Sequence, residues 1–87
     1  MLARESIRAI TNRVRGLARL QNLDDVYVDE EGTVAIRRGP ARVKLENADG
    51  VVMIHRKGIA AEPVGSQLQE PDIEAAAQLI MTYLCRN

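Results

Sequence analysis

Residues 26–57 constrain this chain most, because they hold four short β-type runs cut by three turn signals. The signals are Glu31-Gly32, Arg38-Gly39-Pro40 and Ala48-Asp49-Gly50. Between them Val26 and Val28 alternate with Tyr27 and Asp29, and Val34 and Ile36 with Ala35 and Arg37. Val43 and Leu45 alternate with Arg42, Lys44 and Glu46. Period two with one apolar face marks half-buried antiparallel strands. Gly32 and Gly50 suit tight hairpin turns, and Gly39-Pro40 stops a strand before it. The fourth run, residues 51–55, is apolar on both faces, so Val52 and Ile54 are expected inside and Val51, Met53 and His55 outside.

An amphipathic helix is expected on each side of this meander. In the first, Ile7, Ile10, Val14 and Leu17 recur at spacings of three and four, the mark of one buried stripe, which Leu20 and Leu23 extend. Ser6 or the chain end is the expected cap. Gly16 costs about 1 kcal/mol against Ala inside a helix, which a close approach to the sheet or simple tolerance would explain. In the second, Pro71 fits the helix start, with Asp72 and Glu74 facing the positive end of the dipole. Ile73, Ala76, Ala77, Ile80 and Leu84 form its core stripe, while Ala75, Leu79, Met81, Tyr83 and Cys85 widen the apolar arc. A surface helix needs a stripe only ~100° wide. Ala75, Leu79 and Tyr83 therefore read as a surface covered by helix one or by a second copy, and a homodimer is the expectation. Residues 58–69, with Pro63 and Gly65, show no period and read as a long connection. The fold class is α+β: a single α-β-β-β-β-α domain over residues 1–87, a four-stranded antiparallel meander with the N-terminal and C-terminal helices packed on one face.

Eighty-seven residues suit one domain, and at this size folding buries only about 60% of the unfolded surface. The only aromatic residues are Tyr27 and Tyr83, so the core must be aliphatic. Net charge is zero but blocked along the chain. Residues 1–23 hold five arginines against Glu5, and residues 24–31 hold five acids. Residues 37–57 hold six bases against Glu46 and Asp49. The simplest account is that these blocks answer one another within the fold. An arginine-rich amphipathic start is also how a mitochondrial presequence reads, but this helix is needed to cover the sheet. No apolar run approaches the ~18 residues of a membrane-spanning helix, so no membrane association is expected. With Cys85 as the sole cysteine, a reducing, cytoplasmic setting is expected.

Two surfaces carry the functional expectations. At about 100° per residue, Arg4, Arg8, Arg15 and Arg19 fall within roughly 60° of helix one and form a guanidinium row. Like charges at i, i+4 repel, so the row suggests an anion, either the acidic segment of the same chain or an external one. The outer sheet face would combine Tyr27, Ala35, Val51, Met53 and His55 with Arg37, Arg42 and Lys44, an apolar patch with a basic rim of the kind that marks contact sites. The leading expectation is a small non-enzymatic protein-binding or regulatory module, acting as a homodimer, that meets its partner through Tyr27, Arg37, Arg42, Lys44, Met53 and His55. The alternative is a nucleic-acid or other polyanion binder that uses the arginine row and the basic sheet face. His55 and Cys85 are the only residues of their types, too few for a four-ligand zinc site, and no third group is indicated for a Cys–His nucleophile. The acids of residues 24–31 are not spaced as a calcium loop. No catalytic residue, metal or cofactor is expected.

The stretch Val26-Tyr27-Val28-Asp29-Glu30-Glu31-Gly32-Thr33-Val34-Ala35-Ile36, with Gly39, the run Ala41-Arg42-Val43-Lys44-Leu45 and the run Val51-Val52-Met53-Ile54, resembles the core of bacterial YbjN-like domains, which share the type III secretion chaperone-like fold. Asp29, Glu30, Glu31 and Gly32 match its acidic hairpin, and Asn87 matches the end of its closing helix. The resemblance implies a non-enzymatic, protein-binding and often dimeric module. The order of elements and Ala76-Ala77-Gln78-Leu79-Ile80 also resemble the double-stranded-RNA-binding domain, whose closing helix starts with phosphate-gripping lysines. Here that start reads Gln69-Glu70-Pro71-Asp72-Ile73-Glu74, which removes that chemistry, and two tyrosines make a poor stacking platform for single strands.

Overall fold

A computed structural model describes residues 1–86 as two helices and one five-stranded antiparallel sheet. Asn87, matched above to the end of the YbjN-like closing helix, lies outside the described residues. The elements run α1 (Ala3–Leu20), β1 (Tyr27–Asp29), β2 (Val34–Arg38), β3 (Ala41–Ala48), β4 (Val51–Arg56), β5 (Ile59–Gly65) and α2 (Glu70–Leu84). The strands lie side by side in chain order, each antiparallel to the next.

The sheet has five strands where four were expected. Residues 58–69, expected as a connection, contain β5, an edge strand paired with β4 through Val52–Gly65, Met53–Pro63, Ile54–Glu62 and Arg56–Ile59. Its sequence hides it for two physical reasons. Register shifts between Val52 and Met53 and between Ile54 and Arg56 break the period-two pattern. Pro63, which lacks an N–H, is tolerated because the strand lies at an edge.

Cross-strand partners share a face, so register sorts the side chains. Val28, Ile36, Val43, Leu45, Val52 and Ile54 point to the helix layer, and all but half-buried Val28 are buried. Both helices pack on β3 and on each other, and α1 also reaches β4. From α1 come Ile7, Ile10, Val14 and Leu17, as the spacing required, joined by Ala3 and Ala18. Leu20 does not extend the stripe: it is 74% exposed, while Leu23 packs against the core. From α2 come Ile73, Ala76, Ala77, Ile80, Met81 and Leu84. Leu68, between β5 and α2, is buried as well.

Of the two expected caps of α1, it is Leu2, at the start of the sequence, that takes the position, and the Ser6 side chain does not. The backbone N–H of Leu2 donates to Glu5 at 3.2 Å, and buried Ser6 turns its hydroxyl back to the Met1 carbonyl at 3.5 Å. In α2 the Gln69 N–H donates to Asp72 at 2.8 Å. Helix α2 opens at Glu70 with Pro71 behind it, so the first turn still loses no donor it needs. Asp49 and Gly50 both hold positive φ, 52° and 87°, as a two-residue hairpin between β3 and β4 demands.

Gly16 and Gly65 make opposite predictions. A Cβ at Gly16 meets nothing within 4 Å, so tolerance, not close approach, explains this glycine. Gly16→Ala is expected to stabilise the protein by about 0.5–1 kcal/mol. At Gly65, φ is +144° and a Cβ would stand 2.9 Å from a methyl of Leu68. Gly65→Ala is expected to cost about 1–3 kcal/mol through backbone strain and displacement of a buried leucine. Urea unfolding of the two variants checks both signs.

Candidate functional site

The outer sheet face is open, since both helices lie on the other side. Register lines up Tyr27, Arg37 and Arg42 across β1, β2 and β3, and Asp29, Ala35, Lys44 and His55 across β1 to β4. A third row runs Glu46, Met53 and Pro63. Tyr27, Arg37, Arg42 and Lys44 are exposed, while Val51, Met53 and His55 are half-buried. All six residues expected to bind a partner, Tyr27, Arg37, Arg42, Lys44, Met53 and His55, therefore share one face.

Two interactions organise it. The Arg37 guanidinium lies 4.7 Å from the centre of the Tyr27 ring, a cation–π contact worth about 0.5–1 kcal/mol at an exposed site. His55 Nε2 meets Glu46 at 2.9 Å diagonally across β3 and β4. Beneath the tyrosine a hollow of about 450 Å³ is lined by Tyr27, Val28, Asp29, Ala35, Arg37 and Arg42. The small side chain of Ala35, only 6% exposed, forms its floor between the longer neighbours.

The arginine row is divided by the fold. Arg15 hydrogen-bonds Glu30 at 3.1 Å and Asn12 at 3.3 Å, so the acidic segment answers one member of the row. Among the described residues, Arg4, Arg8 and Arg19 make no ion pair. The row lies on the helix layer and the basic sheet face on the opposite side, with the β1–β2 turn and its Asp29, Glu30 and Glu31 at the edge between them. The two basic surfaces do not form one continuous patch.

Sequence reasoning passed over three arginines that tie the fold together. Arg13 forms a forked pair with Glu74, at 2.8 and 2.7 Å, which joins α1 to α2. The Nε–H of Arg38 is shared between the two carboxylate oxygens of Asp25, at 2.9 and 3.1 Å, and its Nη1 donates to the Leu84 carbonyl at the end of α2, at 3.3 Å. Arg56 lies on the inner face and pairs with Glu62 of β5 at 2.6 Å, with its guanidinium 6.0 Å from the centre of the Tyr83 ring. Its Nε is buried without a hydrogen-bond partner. The signal available beforehand was helical phase: Arg13 lies on the opposite flank of α1 from the row, and only a second helix can meet it there.

His55 is on the outer face, whereas half-buried Cys85 caps α2 in the helix layer, so the sheet separates them. Among the described residues, no group of three or more His, Cys, Asp or Glu is placed to hold a metal ion, and no helix is long and apolar enough to cross a membrane. No protein-family model, curated protein or solved structure matches the chain.

Of the expected dimer surface, Ala75 is exposed while Leu79 and Tyr83 are half-buried against the core. Ala75 and Leu79 face Pro63 and Val64 across a small groove of about 250 Å³, and Arg56 reaches Tyr83. Strand β5 thus covers part of the arc from within the chain, and the width of the arc does not by itself call for a second copy. Leu79→Glu is expected to lower stability by about 1–3 kcal/mol, because a carboxylate enters a partly dry groove between α2 and β5. Chemical denaturation beside light scattering checks this. A fully stable monomer replacing a wild-type dimer would return Leu79 to an interface.

The hydrogen bond from Arg13, with its positive charge, holds the Glu74 carboxyl below its ordinary range. A depressed carboxylate contributes stability above its unfolded-state value and loses it as pH falls through its folded-state value. Glu74→Gln is therefore expected to lower Tm slightly at neutral pH, the pair being exposed, and the deficit should close in acid and shrink in high salt. Thermal melts of the two proteins across pH check the sign.

Proposed function

We propose that the protein is a small non-enzymatic binding module that engages a protein partner across the outer face of its sheet. The observation that carries this reading is the juxtaposition on one uncovered face of the Tyr27 ring, the half-buried Val51, Met53 and His55, and the cations Arg37, Arg42 and Lys44. Tyrosine, methionine and arginine are the side chains enriched where proteins meet. Pairing with Arg37 pre-orders Tyr27, which lowers the entropy lost when a partner covers it. Asp29 and Glu46 on the same face favour a protein with mixed charges over a uniform polyanion. The resemblance to YbjN-like domains points the same way, to a protein-binding role without catalysis. A single free cysteine suits a cytoplasmic setting.

The test is affinity capture with quantitative mass spectrometry, followed by titration of the partner found. Tyr27→Ala and Met53→Glu are each expected to raise Kd by about tenfold or more, as central contact residues do. Arg19→Gln, on the helix layer, should leave Kd unchanged. A partner held equally well by Tyr27→Ala with Met53→Glu, but released by changes on the helix layer, would overturn the proposal.

A further inference from the structure

On the opposite layer, a groove of about 590 Å³ runs between the first two turns of α1 and the β1–β2 turn. Ligand sites typically occupy ~300–1,000 Å³. Arg4 and Arg8 stand on one wall, Thr33 on the other, and half-buried Val34 with the exposed margin of Ile7 contributes apolar surface. Two carboxylates also border it, but both are already engaged: Glu30 with Arg15 at 3.1 Å and Glu46 with His55 at 2.9 Å. Arg4 and Arg8 make no ion pair among the described residues. The groove therefore holds two arginines without an ion pair, one carboxylate answered by Arg15 and one, Glu46, whose hydrogen-bond partner is a histidine.

Residues four apart on a helix are neighbours, so these two like charges repel unless an anion lies between or beside them. Guanidinium groups match phosphoryl oxygens in fork geometry, and two of them match the double charge of a phosphomonoester. We propose that this groove binds a phosphomonoester, with the phosphoryl group held by Arg4 and Arg8, the Thr33 hydroxyl as a further donor, and an apolar ester group against Ile7 and Val34. The site is independent of the outer sheet face and does not rest on the partner proposed there.

The experiment is titration of the full chain with inorganic phosphate and with phenyl phosphate, followed through backbone amide chemical shifts at constant ionic strength. Saturable shifts are expected at Ile7, Arg8, Thr33 and Val34, with phenyl phosphate bound several-fold more tightly than phosphate. Arg4→Gln and Arg8→Gln are each expected to raise Kd by about tenfold, the loss of a charge-assisted hydrogen bond. Arg19→Gln, on the same row but beyond the groove, should have no effect. Both arginines are exposed, so the variants should keep the wild-type circular dichroism spectrum. Shifts no larger than those from chloride would overturn the proposal. So would equal affinity for the two phosphates, or equal loss from Arg19→Gln. Duplex DNA bound with equal contributions from all four arginines would also overturn it, since the row rather than the groove would then be the site.

Discussion

The fold depends on the burial of one aliphatic sheet face beneath two helices. Ile36, Val43, Leu45, Val52 and Ile54 from the strands meet Ile10, Val14, Ala77 and Ile80 from the helices, each almost wholly withdrawn from water. Full burial of an aliphatic side chain is worth about 1.5–3 kcal/mol, and no Phe or Trp is present to add more. The packing has to be close instead. Ala3, Ser6, Ala18, Ala76 and Ala77 are all buried, and side chains of this size let helix backbones approach each other and the sheet. Thr11 keeps a buried hydroxyl only because it donates to the Ile7 carbonyl one turn back, at 2.7 Å.

Around this core the ionic contacts fasten elements that hydrophobic burial alone leaves free at their ends. Arg13–Glu74 spans the two helices, Arg38 ties Asp25 to the last turn of α2, Arg15 holds the β1–β2 turn through Glu30, and Arg56 holds β5 through Glu62. The exposed pairs among them, Arg13–Glu74 and Arg15–Glu30, contribute little energy each. Each joins elements far apart in sequence or at an edge of the sheet. Arg38 also brings positive charge to the carbonyl end of α2, where the dipole favours it.

How much of this was legible in the sequence follows from which interactions are periodic. The alternation in β2, β3 and β4 and the three-and-four spacing in α1 are produced by one buried face, so residues such as Val43, Ile54 and Ile10 could be assigned inside from position alone. The same alternation placed Tyr27, Arg37, Arg42, Lys44, Met53 and His55 on one outer face. Strand β5 was not legible. An edge strand has one neighbour, its bulges shift the phase, and Pro63 reads as a breaker. The apolar arc of α2 is over-wide for a four-stranded sheet because β5 and Arg56 partly cover Leu79 and Tyr83. Partners far apart in sequence, such as Arg13 and Glu74 or Arg38 and Asp25, leave no periodic trace either.

The charge blocks show why a net charge of zero says so little about what approaches this surface. Along the chain, the basic helix, the acidic segment and the basic strands form three separate blocks. Folding spends part of each on the others, through Arg15 with Glu30 and Arg38 with Asp25. Among the described residues, cations without an ion pair include Arg4, Arg8 and Arg19 on the helix side and Arg37, Arg42 and Lys44 on the sheet side. Charges are screened over about 8–10 Å at ordinary salt, so each cluster acts on its own surroundings. A polyanion passing from one to the other over the β1–β2 turn would meet Asp29, Glu30 and Glu31, and the repulsion there opposes it. The fold thus distributes the cations of a chain with zero net charge over two layers, some on the open sheet face and some beside the groove along α1.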